Sequence, residues 1–451
     1  MDYLDTLSHF SAELDYRKLD PQVQDQVAWI LADTVAAMAA GSAEPELRAM
    51  AAKQPGSVPQ HAAQLIGLGQ QSTPDSAAFI NGTSGTFLEM DEGNRFSRGH
   101  PAVHVIPAAL ALCQARKADA VSFLSALVVG YEVGSRLGAA SQLRGAMHPH
   151  GTWGTLGAAA ACARIAGINA SDMRETINIS ASLTTATSKQ TMLEGGLVRN
   201  VYAGLSNRNG LLALSLAECG FTGEHDGPSS LLGKIISDSF NPEAVIEGLG
   251  QEWHLMRNYF KLHSCCRYNH GTLDAIDQMA ALEKLPSAEE IDHIEVVTYH
   301  LAAELNDPAP SNTLAAKFSV PFAVATRLVN NSSALSSFTW DAVRDPAVLA
   351  LAKKVSVSHD PAMSARLPME RPAKVTLHLR TGQSRVGEAG VNRGDDASPY
   401  TRGELRDKFM NLTGRIWPLA HCEKLLSATL DLGNLKIPFQ AWAALLAHPA
   451  L

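Results

Sequence analysis

From Gln22 to Cys219 the chain repeats one texture: apolar and small residues at three- and four-residue steps, with Ala and Gly where bulkier side chains would hold neighbouring segments apart. Val23, Val27, Ile30, Leu31, Thr34, Val35 and Met38 form the first such stripe, which predicts an amphipathic helix over 22–40. The texture returns at 102–116, 120–137, 153–166, 170–186, 201–219 and 268–285, so the first 280 residues are expected to be almost entirely helical. After Pro286 the period changes. Segments 291–300 and 373–380 alternate and 355–359 is short and β-branched, which predicts strands, with helices over 315–329 and 346–354 between them. A polar stretch from Gly387 to Pro399 reads as a linker, and Thr401 with Glu404 three residues on reads as a helix start. The expected class is α+β: a large all-helical domain from 1–268 and 397–451, and a smaller α+β lid domain over 269–396.

At 451 residues two domains are the default, and a low charged content of 18% leaves room for burial between subunits. The net charge of −8, with no basic run, argues against a nucleic-acid partner. Six scattered cysteines suggest no disulfide framework. The start Met1-Asp2-Tyr3-Leu4-Asp5 lacks a secretory pattern, and no uncharged run reaches the length of a membrane span. A cytoplasmic protein without a membrane partner is the expectation.

Two segments bring histidines to predicted helix starts: Arg98-Gly99-His100-Pro101 with His104, and Met147-His148-Pro149-His150-Gly151-Thr152. Imidazole both takes and gives a proton near neutrality, and a helix N-terminus favours an anion, so this pattern suits proton transfer on a carboxylate. Thr152 is expected to cap the second helix, with Gly151 at positive φ. The acidic run Glu89-Met90-Asp91-Glu92 ahead of Arg95 and Arg98 is either a solvated loop or a cleft in which a carboxylate orients an imidazole and Arg98 grips substrate. The segment Lys261-Leu262-His263-Ser264-Cys265-Cys266-Arg267-Tyr268-Asn269-His270 offers zinc-ligand types, but without the usual Cys spacing it suits an anion clamp better. No metal site is expected. Neither a dinucleotide fingerprint, a P-loop nor a nucleophile elbow is present.

In order, Ala77–Glu92 (AAFINGTSGTFLEMDE), His100-Pro101, 147–158, 198–223, 261–270 and 316–325 (AKFSVPFAVA) resemble the landmarks of the MmgE/PrpD family across nearly the whole chain. The resemblance implies a homodimer that dehydrates, decarboxylates or epimerises small di- or tricarboxylates without metal or organic cofactor. It implies active-site positions at Asp91, His100 and His148, and a clamp at Lys261, Arg267 and His270. Arg199 stands where the family usually has a lysine, Thr86 where many members have histidine, and Phe322 where decarboxylase-like members have tyrosine. An arginine keeps charge but cannot act as a general acid near neutrality, so decarboxylation is the least favoured chemistry. The leading expectation is a cofactor-independent lyase of the dehydratase kind. His100, His148, Asp91 and Lys261 would be catalytic, and Arg199, Arg267, His270, Thr152 and Arg98 would bind substrate. Epimerase chemistry, a metal-dependent hydrolase using the His/Cys clusters, and an inert helical dimer are the alternatives.

Overall fold

The computed structural model describes residues 2–54 and 60–450. The fold is α+β and mostly helical. The principal helices are α1 (Pro21–Gly41), α2 (Pro74–Phe87), α3 (Pro101–Arg116), α4 (Ala120–Ala139), α5 (Trp153–Ala166), α6 (Ala170–Ala181), α7 (Val201–Glu218), α8 (His270–Leu282), α9 (Val320–Val329), α10 (Arg402–Thr413) and α11 (Leu419–Gly433). Two short strands, β1 (Gly93–Asn94) and β2 (Asn258–Tyr259), pair antiparallel inside the helical part. The four-stranded sheet runs β6 (Ser384–Ala389), β5 (Ala373–Leu379), β3 (Ile291–Thr298), β4 (Val355–His359), with only β3 and β4 parallel.

Among the described residues two large hydrophobic cores, with two smaller clusters inside the helical part, organise these elements. One draws on residues from Tyr3 to Phe260 and again from Tyr400 to Leu446, so α10 and α11 fold back onto α1. The return is tied by Lys408, whose Nζ donates to Asp33 Oδ1 (2.5 Å) and to the Met90 carbonyl (2.7 Å). The other core spans Cys265 to Ala389, with Met192 reaching in. α10 starts as expected: Thr401 and Glu404 form a reciprocal capping box.

Small residues decide how closely the helices approach. A Cβ on Gly157 of α5 would lie 2.6 Å from the Gly130 carbonyl oxygen of α4, and one on Gly130 would lie 2.5 Å from Val105 of α3. Gly157→Ala is therefore expected to destabilise the protein by about 1–3 kcal/mol through overpacking, read as a lower denaturant midpoint. α4 is the one described helix long and apolar enough to cross a membrane, yet it is largely buried in the core. There Glu132 Oε2 accepts from Arg136 Nε (2.8 Å), and Arg136 also donates to the Glu247 carbonyl.

Several sequence expectations need correction. α1 is buried on nearly every side rather than along one stripe, because α2, α10 and α11 pack around it. The helix expected over 315–329 is broken at Phe318-Ser319. Ser319 caps α9 by accepting from the Phe322 N–H (3.0 Å), and Pro321 favours a first-turn position. Gly387–Ala389 belong to β6 rather than a linker, and Asp395 beyond them is buried.

Candidate active site

The acidic run is not a solvated loop. Glu89, Asp91 and Glu92 are each about 1% exposed. The segment leaves α2 through Glu89 at φ +55°, passes through β1, and reaches α3 through Arg98 at φ +57°. The Asn94 side chain holds this turn by accepting from the Phe96 and Ser97 N–H groups (3.0 and 3.1 Å). Because β1 pairs with β2, the acids lie against the chain carrying Tyr259 and Lys261.

Lys261 is fully buried, with Nζ 3.3 Å from Asp91 Oδ1 and 3.5 Å from Glu89 Oε2. Burial opposes its ammonium, but Asp91 and Glu89 outweigh that and hold its pKa above the ordinary lysine value. Glu89 also pairs with Arg199, whose guanidinium packs over the Phe318 ring at 5.3 Å. Glu92 caps α3 by accepting from the Ala102 N–H (2.9 Å), and it also accepts from the Tyr131 hydroxyl (3.1 Å). Burial pushes its pKa up to about 8.

Four imidazoles cluster above these acids. His150 is edge-on to His100, His104 and His148, with ring centroids 5.0, 4.6 and 4.7 Å apart. Burial lowers the pKa of all four, to about 4 for His104, and Lys261 or Arg199 adds repulsion, so the rings are neutral at neutral pH. Their hydrogen bonds separate their roles. His100 Nδ1 lies 2.7 Å from the Glu92 carbonyl, which fixes the proton on Nδ1, and Asp91 Oδ2 is 3.1 Å from the same nitrogen. No hydrogen bond among the described residues engages His100 Nε2, which is left with its lone pair. His148 differs: its Nδ1 faces the His150 N–H (3.1 Å) and its Nε2 faces Arg199 Nε (3.3 Å). A neutral ring has one lone pair, so it can accept from only one of these two donors, and neither nitrogen is left open to substrate. His104 donates to the His100 carbonyl (2.7 Å) and sits against α5, where a Cβ on Gly154 would collide with its ring.

A cavity of about 160 Å³ opens between the two cores. Its polar wall includes Glu89, Arg98, His100, His148, His150, Arg199, Tyr259, Arg267, Tyr268 and Arg371, and its apolar wall includes Leu143, Met147, Met192, Leu301 and Phe318. Arg199 is paired with Glu89 and Arg267 with Asp395 (2.8 Å). Arg98 and Arg371 have no carboxylate partner within 4 Å among the described residues. Arg98 donates to the Ser141 carbonyl; Arg371, only 4% exposed, lies over the Tyr259 and Tyr268 rings, and its Nη1 has no hydrogen-bond partner. Two uncompensated guanidiniums in one cavity are costly unless an anion occupies it.

Of the expected site residues, His100, His148, Arg199, Arg98 and Arg267 line this cavity. Asp91 and Lys261 lie behind it, because the acids fold around the lysine. Thr152 does not cap α5: its hydroxyl donates to the Pro149 carbonyl (2.6 Å), away from the cavity. His270 accepts from Arg267 Nη1 (2.9 Å) and contacts the Cys265 carbonyl, a packing role. His263, Cys265, Cys266 and His270 form no common ligand set among the described residues, since His263 turns to Ser333 and Asp274. Phe322 is buried in the second core against Phe338, so its missing hydroxyl leaves the cavity unchanged. Arg371 and Tyr259 went unseen in the sequence. Tyr259 carried a signal, since Tyr259 and Lys261 alternate with core residue Phe260. Arg371 had none, because only the docking of the second core brings it to the cavity.

Comparison with known proteins agrees with this architecture. The MmgE/PrpD N-terminal domain matches residues 5–229 and the MmgE/PrpD C-terminal domain matches residues 263–432. A cis-aconitate decarboxylase of Aspergillus terreus (strain NIH 2624 / FGSC A1156) is 24% identical over 457 residues, covering 95% of this chain and 93% of the relative. The cis-aconitate decarboxylase of Mus musculus is 25% identical over 386 residues, covering 80% and 76%. A cis-aconitate decarboxylase-like protein, oryM, of Aspergillus oryzae (strain ATCC 42149 / RIB 40) is 23% identical over 462 residues, covering 94% and 93%.

Proposed function

Starting from a chain that belongs to the MmgE/PrpD family, we propose a lyase that removes the proton α to a carboxylate of a small hydroxy-polycarboxylate and expels water. The observation that carries this reading is the pairing, in one cavity, of a neutral imidazole with a free Nε2 and two guanidiniums lacking counter-ions.

Arg371 and Arg98 would each hold a carboxylate, bidentate contact being the geometry guanidinium favours. His100 Nε2 takes the α-proton. Asp91, beside Nδ1, stabilises the imidazolium that forms, as the carboxylate of a catalytic triad does. The added charge of the aci-carboxylate intermediate falls on the fixed cations, and removing a single such donor typically costs 10²–10³ in rate. Tyr259, its phenol pushed up to about 12 by burial, stays protonated and can supply the proton for the departing hydroxyl. Its ring centroid is 6.1 Å from that of His100. Lys261 positions Asp91 and Glu89. None of these steps calls on a metal or organic cofactor.

The relatives' names favour a second reading, decarboxylation of an unsaturated tricarboxylate. That chemistry needs an acid to protonate carbon. Tyr259 could serve as that acid too, but burial and Lys261 hold His100 neutral, and a neutral imidazole with an open nitrogen is better disposed to begin by abstracting a proton. The same anion-seeking cavity weighs against an inert scaffold. A homodimer is supported by exposed apolar side chains gathered on one stretch, Leu197, Val198, Leu212 and Phe221, which a second copy would cover.

Proton NMR of the protein with hydroxy-, unsaturated and amino-polycarboxylates in heavy water separates the readings. New vinyl protons with loss of the hydroxy acid signal dehydration. Replacement of an unsaturated tricarboxylate's signals by those of a dicarboxylate carrying solvent deuterium signals decarboxylation, and deuterium exchange without net conversion signals epimerisation. No change in any of them sinks the proposal. Arg371→Ala is expected to lower kcat/KM by about 100-fold, the worth of a lost charged hydrogen-bonding contact, mostly through KM.

A further inference from the structure

On the outer face of the sheet, away from the cavity, we infer a binding site for a zinc-class divalent cation formed by His293, Glu295 and His378. His293 and Glu295 are two residues apart on β3 and share its exposed face, and His378 is the register partner of His293 on β5. His378 Nε2 is 3.3 Å from Glu295 Oε2, and His293 Nε2 is 3.9 Å from Glu295 Oε1. All three ligand atoms lie within 4.8 Å of one another. Bonds of about 2.0–2.2 Å to zinc would bring them only slightly closer, within reach of half-exposed side chains.

The surroundings orient both rings. A bulge between Ile291 and His293 leaves Asp292 and His293 both exposed, and Asp292 Oδ2 sits 3.1 Å from His293 Nδ1. Ser384 Oγ on β6 is 3.0 Å from His378 Nδ1. Each imidazole thus has Nδ1 engaged and Nε2 turned to Glu295, the arrangement that outer-shell partners impose on metal-binding histidine. His378 Nε2 is occluded and makes no hydrogen bond, with only the Glu295 carboxylate beside it where the ion would sit. The rings stack nearly parallel at 4.1 Å and 9°, so binding requires these exposed side chains to rotate until both Nε2 lone pairs meet at the ion, and water or a side chain of another molecule would complete the coordination.

Among the described residues two other groups place acids and histidine together, but both are already neutralised. Glu89, Asp91 and His100 surround Lys261 and Arg199, while His263, Asp274 and Asp277 engage Ser333, the Arg393 N–H and Arg327. Among the described residues no Lys or Arg lies within ion-pair distance of Glu295, whose neighbours are the two histidines with Asp292 and Ser384 behind them.

Chelator-treated full-length protein titrated with zinc chloride by calorimetry tests the assignment. One equivalent is expected to bind in the wild type. That equivalent is expected to be lost in His293→Ala and His378→Ala and weakened at least tenfold in Ser384→Ala. Glu295→Gln, which keeps the shape of the side chain, is expected to lose it as well, and circular dichroism confirms folding of each variant. Wild-type protein that takes up no zinc at micromolar concentration, or folded histidine variants that bind it as the wild type does, overturn the inference.

Discussion

Replacing His100 with glutamine is expected to reduce kcat by about 10³-fold while leaving the helical signature and unfolding midpoint nearly unchanged. Loss of a positioned general base typically costs 10²–10⁴. His100 and His150 both line the cavity with a ring nitrogen that no other described group holds, but only His100 has a carboxylate, Asp91, beside its other nitrogen to stabilise the imidazolium. His148 lines the same cavity, but donors face both its nitrogens, so His148→Gln should cost about tenfold through the loosened Arg199. The contrast matters more than either value. Equal losses in the two variants would assign the base to the pair, and a larger loss at His148 would transfer the role to it. Asp91→Asn should resemble the His100 variant in kcat with KM little changed, because the carboxylate acts on the imidazolium rather than on substrate. Steady-state kinetics on the substrate found by NMR, with circular dichroism on each variant, reads all three.

Much of this arrangement was legible before any coordinates. Three- and four-residue spacing marked the helices, because an α-helix buries a stripe, and alternation marked β3 and β5 for the corresponding reason. The imidazoles were visible because proline and glycine beside them punctuate helix starts. Roles that depend on tertiary docking were not visible. Nothing around Arg371 distinguishes it from a surface arginine ahead of a strand; it becomes a buried cation only when the second core closes on Tyr259 and Tyr268. Asp395, in a stretch that reads as a polar linker, is the buried counter-ion of Arg267. Conversely, Thr152 and His270 had local signals of function, a cap and a clamp, but backbone carbonyls and Arg267 took up their hydrogen-bonding groups. Local pattern names the residue type at a site, and packing decides which of its atoms remain free.

The same packing predicts a steep acid transition. His100, His104, His148, His150 and His270 are buried and neutral, and His254 is held at about 3, in each case chiefly by burial. A group whose pKa is depressed on folding contributes stability that is present above its unfolded value and lost as pH falls toward the folded one. For histidine that window opens near pH 6.5. At pH 5 each ring costs about 2 kcal/mol, because the unfolded chain binds a proton that the folded chain refuses. Six such rings together approach the whole of a typical folding free energy of about 5–15 kcal/mol. Glu92 acts in the opposite sense: its raised pKa means that folding is favoured as pH falls from about 8 toward the ordinary glutamate range. Asp33 and Glu132, whose pKa values burial also raises, act in the same sense, so three buried carboxyls offset part of the demand of the six imidazoles and a net uptake of protons on unfolding remains. Circular dichroism against pH should therefore show cooperative loss of helix between about pH 6 and 4.5. His150→Gln should shift the midpoint downward, since one fewer ring demands a proton. A wild-type protein that keeps its full helical signal at pH 4 would mean that these rings are solvated or charged in the folded state, and the neutrality assigned to His100 as a base would fall with them.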